Sequence, residues 1–286
     1  MDFKDIRIAG IKTPTYEAGP RDRGEAVVFV HGNPGPSDDW ERLAPRAAEF
    51  ARVVAMDMPG YGRADRPKDF DYTVQGYARH LGALLDELGV TRAHLVMHDF
   101  GGGWGLGWAV TQPKSVGSVT LINTGVLTGY NWHKYAKIWQ TPLLGELFQA
   151  TATASLLHRA LAMDNPRPIP RSFVDRVMSY ADWGHKRAVL KLYRASRDPD
   201  KTFGPIAAEV RKLDVPACVV WGDGDSYLPV KYAELQREFF PRAELHILKG
   251  LGHWPFIDDP EAVEAAVLPF LKAQTSAARS SSPAPA

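Results

Sequence analysis

Asp99 closes the apolar run AHLVMHD (93–99) and is followed, after one phenylalanine, by three glycines in the stretch HDFGGGWG. A carboxylate at a strand-to-helix corner, with glycines that permit a strained turn, occupies the seat of a nucleophile elbow. The same residue also suits a plain helix cap, because aspartate is a good N-cap and carboxylates favour helix N-termini. That segment alone leaves the two readings even. Three other stretches supply possible partners. WGDGDSYLP (221–229) ends a strand with Asp223 and Asp225, LKGLGHWPF (248–256) sets His253 just after the last strand, and HGNPGP (31–36) is a turn. That turn can bring the Asn33 N–H beside the Phe100 N–H as an oxyanion hole. A carboxylate of pKa about 4 is ionised at neutral pH and needs no base to become a nucleophile. It suits attack on a saturated carbon bearing a leaving group. Water then breaks the resulting ester, with a histidine as general base and a second carboxylate holding the imidazole.

The chain order nucleophile, acid, histidine is that of the α/β-hydrolase triad. With HGNPGP, DMPGYGRADRP (57–67), HDFGG, WGDGDSYLP and GHWPF, the chain resembles the α/β-hydrolase superfamily from about residue 25 to 272. Within it, the chain is similar to the aspartate-nucleophile branch of epoxide hydrolases and haloalkane dehalogenases. The resemblance implies Asp99 as nucleophile, His253 as base and Asp225, the later of the two carboxylates, as acid; Asp223 then reads as a turn residue. Two residues depart from the pattern. Met97 stands where many relatives carry glycine, and Phe100 stands where haloalkane dehalogenases present a tryptophan whose N–H holds halide, a donor that a phenyl ring lacks.

Opening an epoxide leaves an alkoxide that must be protonated, and a tyrosine can supply the proton. VLKLYRAS (189–196) resembles the tyrosine-arginine stretch of epoxide-hydrolase caps, which implies Tyr193. YAKIWQTPLLGE (135–146) is similar to the segment carrying the first cap tyrosine, which implies Tyr135. The expected function is an epoxide hydrolase forming a vicinal diol through an Asp99 ester, acting on a small apolar epoxide and water. The alternative is a haloalkane dehalogenase with the same triad and Asn33 as halide ligand. A ligand-binding protein on a hydrolase scaffold is the third reading, and it has no need of the hydrolytic pair.

These residues need a scaffold that gathers strand ends. Runs at 26–32, 52–58, 93–99, 116–124, 217–223 and 243–250 read as strands buried on both faces, and helical spacing separates them. The pattern predicts an α/β fold with a mostly parallel central sheet flanked by helices. The alternation stops between Thr124 and Leu213, where tryptophans and tyrosines lie on helical segments broken by DNPRPIPRS (164–172). The expected organisation is a core of 1–124 and 213–274, an inserted helical cap over 125–212, and a structureless tail of 275–286. The cap aromatics read equally as pocket lining and as the cap's own core.

With 286 residues, 45% of them hydrophobic, the chain can bury one large core. Its net charge of +1, from 34 basic and 33 acidic residues without a basic block, speaks against nucleic acid as a partner. No stretch approaches the roughly 18 apolar residues of a membrane span, and the acidic N-terminus is unlike a secretory signal, so a cytoplasmic protein is expected. Cys218 reads as a small core residue. His31 and His98 read as structural, and His80, His94, His133, His158, His185 and His246 show no metal-ligand spacing. No cofactor or metal is expected, since zinc and nucleotide motifs are missing from the sequence.

Overall fold

The computed structural model describes residues 1–21 and 24–280. Eight strands form one sheet: β1 (Phe3–Ile8), β2 (Ile11–Ala18), β3 (Glu25–Val30), β4 (Val53–Met56), β5 (Arg92–His98), β6 (Val116–Ile122), β7 (Ala217–Gly222) and β8 (Glu244–Leu248). Their order is β1-β2-β4-β3-β5-β6-β7-β8. The β1–β2 and β2–β4 pairs are antiparallel and all others parallel. The six parallel strands are the six apolar runs. Composition does not point to the β1–β2 hairpin: FKDIRI is largely exposed, and its turn passes through Ala9 and Gly10, both at positive φ.

Helices cover both faces of the sheet, as expected. On one side lies α1 (Leu43–Ala47), which precedes β4; on the other lie α2 (Val74–Glu87) and α3 (Phe100–Thr111), which flank β5 in sequence. Alternation along the strands divides the core in two. Val28, Val30, Leu95 and Met97 pack with Leu81 of α2 and Trp104 of α3. Val27, Phe29 and Val96 face the other way, toward Trp40 and Phe256. This two-sided burial is what parallel strands require.

Between β6 and β7 stand six helices: α4 (Lys134–Gln140), α5 (Leu144–Thr151), α6 (Ala154–Asp164), α7 (Arg171–Ser179), α8 (Trp183–Ala195) and α9 (Pro199–Val210). Side chains start four of them: His133, Thr153, Asp182 and Asp198 each accept a first-turn N–H. The chain then closes through α10 (Lys231–Leu235), α11 (Pro255–Asp258) and α12 (Pro260–Ser280).

The C-terminal boundary differs from the expectation. Helix α12 continues through Ser280, and Thr275 is buried with its Oγ1 donating to the Leu271 carbonyl at 3.0 Å. The small residues TSAARS thus extend a helix that is already anchored; the remainder of the expected tail, 281–286, lies outside the described residues. Among the described residues, no helix is long and apolar enough to cross a membrane.

Candidate active site

Asp99 takes φ 49° and ψ −125° between the end of β5 and the first residue of α3. A non-glycine residue in that region is strained, and the surroundings must hold it there. They do so by close approach. A Cβ on Gly101 would lie 2.2 Å from the Val30 carbonyl oxygen, and one on Gly102 would lie 2.1 Å from Thr124 Oγ1. Thr124 Oγ1 in turn donates to the Asp99 carbonyl at 2.5 Å. The unusual Met97 is accommodated further along the helix, where Gly105 leaves room: a Cβ there would meet Met97 Sδ at 2.4 Å.

His253, in the loop after β8, is 3% exposed. Its Nδ1 donates to Asp225 Oδ2 at 2.7 Å, while Nε2 stands 3.4 Å from Asp99 Oδ2. Asp225 also accepts the Tyr227 and Leu228 N–H groups at 2.8 and 2.9 Å and the Asn123 amide at 2.7 Å. Asp223 points elsewhere and accepts the Gly250 N–H at 2.7 Å. Sequence reasoning passed over Asn123, whose φ of 44° marks the end of β6. A positive φ cannot be read from residue order. His98 donates from Nε2 to the His253 carbonyl at 2.7 Å and so anchors the loop. Burial alone would lower the His253 pKa, but the Asp225 and Asp99 carboxylates outweigh it and raise the value to about 10. Burial pushes Asp99 upward, yet its bonds to His253 and the Asn33 N–H leave its pKa below the usual carboxylate value. Both shifts favour a carboxylate beside an imidazolium.

The Asn33 N–H donates to Asp99 Oδ1 at 2.7 Å. Phe100 opens α3, so its own N–H has no acceptor within the helix. The Asn33 side-chain amide donates to Tyr193 Oη at 3.3 Å, and the Tyr193 ring lies 5.1 Å from that of Phe100. Tyr193 is buried, and its pKa is raised by desolvation and then by the Asp99 charge.

Tyr135 lines the same cavity from α4. It is half-buried against Trp139 and Phe148, and its hydroxyl meets Asp164 and Lys134. His133, read from sequence as an ordinary histidine, comes closer to the centre. Its ring is 6.1 Å from Tyr193 and 5.1 Å from Tyr227, which is itself 5.2 Å from His253. His133 Nδ1 accepts the Ala136 N–H at 3.3 Å, and burial lowers its pKa to about 4. The imidazole is thus neutral with its proton on Nε2. Its one sequence signal is position, as the cap residue of α4.

Asp99, Asn33, His253 and Tyr193 border a cavity of about 350 Å³ whose far walls come from α5 to α8. Its volume and mainly apolar lining suit a small organic ligand. A second void of about 30 Å³, beside Asp99, Thr124 and Tyr130, has room for water, and His133 lines both. Of the tryptophans, Trp132 stacks on Phe100 and donates its Nε1–H to the Ser196 carbonyl, Trp139 lines the cavity and Trp183 is exposed. Among the described residues no cluster of His, Cys, Asp and Glu is placed to hold a metal.

A family model described as "alpha/beta hydrolase fold" matches residues 25–260. The chain belongs to the α/β-hydrolase family. This α/β-hydrolase is 27% identical to a 2-hydroxy-6-oxo-6-(2'-aminophenyl)hexa-2,4-dienoic acid hydrolase of Metapseudomonas resinovorans, over 93% of this chain and 89% of that protein. It is also 27% identical to a cis-3-alkyl-4-alkyloxetan-2-one decarboxylase of Xanthomonas campestris, covering 94% of both. Among solved structures, a haloalkane dehalogenase of Bradyrhizobium elkani superposes with a TM-score of 0.83 at 22% identity, covering 96% of this chain and 99% of that one. At that identity the likeness concerns the fold.

Proposed function

We propose that this α/β-hydrolase adds water to epoxides. The observation that carries the reading is an aspartate at the elbow, bonded to Asn33 N–H and facing His253, with the buried Tyr193 hydroxyl within reach of the same Asn33. Asp99 Oδ2 attacks an oxirane carbon and the C–O bond breaks. The oxygen released takes a proton from Tyr193, and the Nε2–H of His133 donates a second hydrogen bond to it. Esterification removes the Asp99 charge, one of the two carboxylates that hold the proton on His253. The imidazole thereby becomes able to lose that proton to solvent and act as base. Water, deprotonated by His253, adds to the Asp99 carboxyl carbon. The oxyanion forms at Oδ1 against the Asn33 and Phe100 N–H groups, a kind of contact worth about 3–4 kcal/mol per donor. On collapse His253 gives the proton taken from water to the leaving oxygen, the vicinal diol is freed, the Asp99 carboxyl returns its remaining proton to His253, and Tyr193 regains its proton from solvent. One product oxygen originates in Asp99.

The oxetan-2-one in the name of the Xanthomonas relative is also a strained oxygen ring, which supports this reading. The alternative is dehalogenation with the same triad and Asn33, which lines the cavity beside Asp99, as halide ligand. Against it, Phe100 has no donor and the Trp132 indole N–H is engaged by Ser196. The test is His253→Gln incubated with an epoxide that the wild type hydrolyses, such as 1,2-epoxyoctane. Intact mass should rise by one substrate, with the adduct on the peptide containing Asp99; protein that stays unmodified over many wild-type turnover times would overturn the scheme. Halide released from haloalkanes without diol from epoxides would select the alternative.

A further inference from the structure

Most polar groups along the cavity away from Asp99 already have partners. Thr151 donates its hydroxyl to the Leu147 carbonyl, Tyr135 meets Asp164, and His185 donates from Nδ1 to the Gly60 carbonyl. Lys186 rests its ammonium over the exposed Trp183 ring at 5.2 Å. Gln149 is different. It lines the cavity from α5, is only 9% exposed, and among the described residues its amide has no hydrogen-bond partner. Its surroundings are apolar: Phe148, Leu156, Leu157 and Val177 line the same space. Neither amide atom is sealed from solvent, so both stay open to a ligand atom that enters the cavity.

We infer that Gln149 is a specificity-determining residue that binds a hydroxyl carried by the substrate at a distance from its oxirane. This rests on the epoxide reading of Asp99. The separation follows from the wall between them, since Tyr193 packs on Trp139 at 4.7 Å and Trp139 on Phe148 at 6.3 Å, next to Gln149 in sequence. The chemistry follows from the amide, which offers an N–H donor and a carbonyl acceptor on one plane. A hydroxyl both accepts and donates, so it can pair with either atom. A carboxylate satisfies only the donor and sets its charge against the carbonyl oxygen, and a hydrocarbon satisfies neither. Sites built to hydrogen-bond a substrate group discriminate strongly against analogues that lack it. The substrates are accordingly hydroxylated epoxides with an apolar spacer.

The experiment compares 1,2-epoxyoctane with 7,8-epoxyoctan-1-ol. Binding to Asp99→Ala, which cannot form the ester, is followed by tryptophan fluorescence, and turnover is measured separately in the wild type. The hydroxylated compound should bind at least about fivefold more tightly, and adding Gln149→Leu should abolish or reverse that preference. Gln149→Met, close in shape, serves if the leucine variant does not fold. Equal binding of the two compounds, or a preference that survives both substitutions, would overturn the role of Gln149. Failure of the wild type to hydrolyse either epoxide would count against the epoxide reading instead, while the binding comparison still decides on Gln149.

Discussion

A carboxylate at the elbow changes what its histidine must do. A serine there would need a base before it could react; in the proposed reaction Asp99 attacks as a carboxylate, so His253 acts only on the water of the second step. The two carboxylates around His253 fit this division, because the first step removes one of them. In the proposed epoxide reaction Tyr193 is the principal donor on the leaving side. Tyr193→Phe should lower epoxide kcat by about 100-fold or more, within the range for a general acid. Steady-state diol formation checks this, and an unchanged kcat would transfer the role to His133 alone. Of the residues around the reaction centre, Asp99, Asp225 and His253 were legible because each follows a strand in a recognisable motif. His133 was not, since its nearness to Tyr193 depends on where α4 begins and not on any spacing to the triad.

Between elements, the tie from the inserted helices to the core can be tested by pH. Arg176 of α7 donates to Asp39 at 3.0 Å, close to α1, and the Asp39 side chain is 1% exposed. Burial raises the Asp39 pKa to about 7, against the lowering effect of Arg176. The folded value lies above the unfolded one, so the folded state holds the proton more tightly. Stability contributed by this group is present below about pH 4 and is lost as pH rises through about 7. Arg176→Ala leaves the carboxylate without its main cation. It should cost about 3–5 kcal/mol at pH 8.5 and distinctly less at pH 5.5, where Asp39 can take up a proton. Urea unfolding at both pH values measures the difference, and an equal loss at each would mean that Asp39 does not carry the burial cost. The other surprises at this scale were the β1–β2 hairpin and the length of α12. The exposed residues of β1 adopt regular structure by pairing with β2, and the end of α12 prolongs a helix already begun at Pro260.

Across the whole molecule, inserted and sheet-forming segments share their cores. Tyr193, Phe203 and Ile206 belong to the cluster of Leu81 and Trp104, and Leu161, Phe173 and Val177 belong to that of Trp40 and Val220. With no separate core among the described residues, the inserted helices should unfold together with the sheet. Far-ultraviolet circular dichroism and tryptophan fluorescence should give coincident transitions in urea, and two resolved transitions would contradict the shared packing. By itself the sequence determined the parallel sheet and the residues at its strand ends, because burial on both faces imposes continuous apolar runs and because glycine-rich corners are local. Only the tertiary structure decided which side chains meet across the cavity. It brought in His133 and, among the described residues, left Gln149 without a protein partner, since those relations depend on how six helices pack over the sheet and no local pattern encodes that packing.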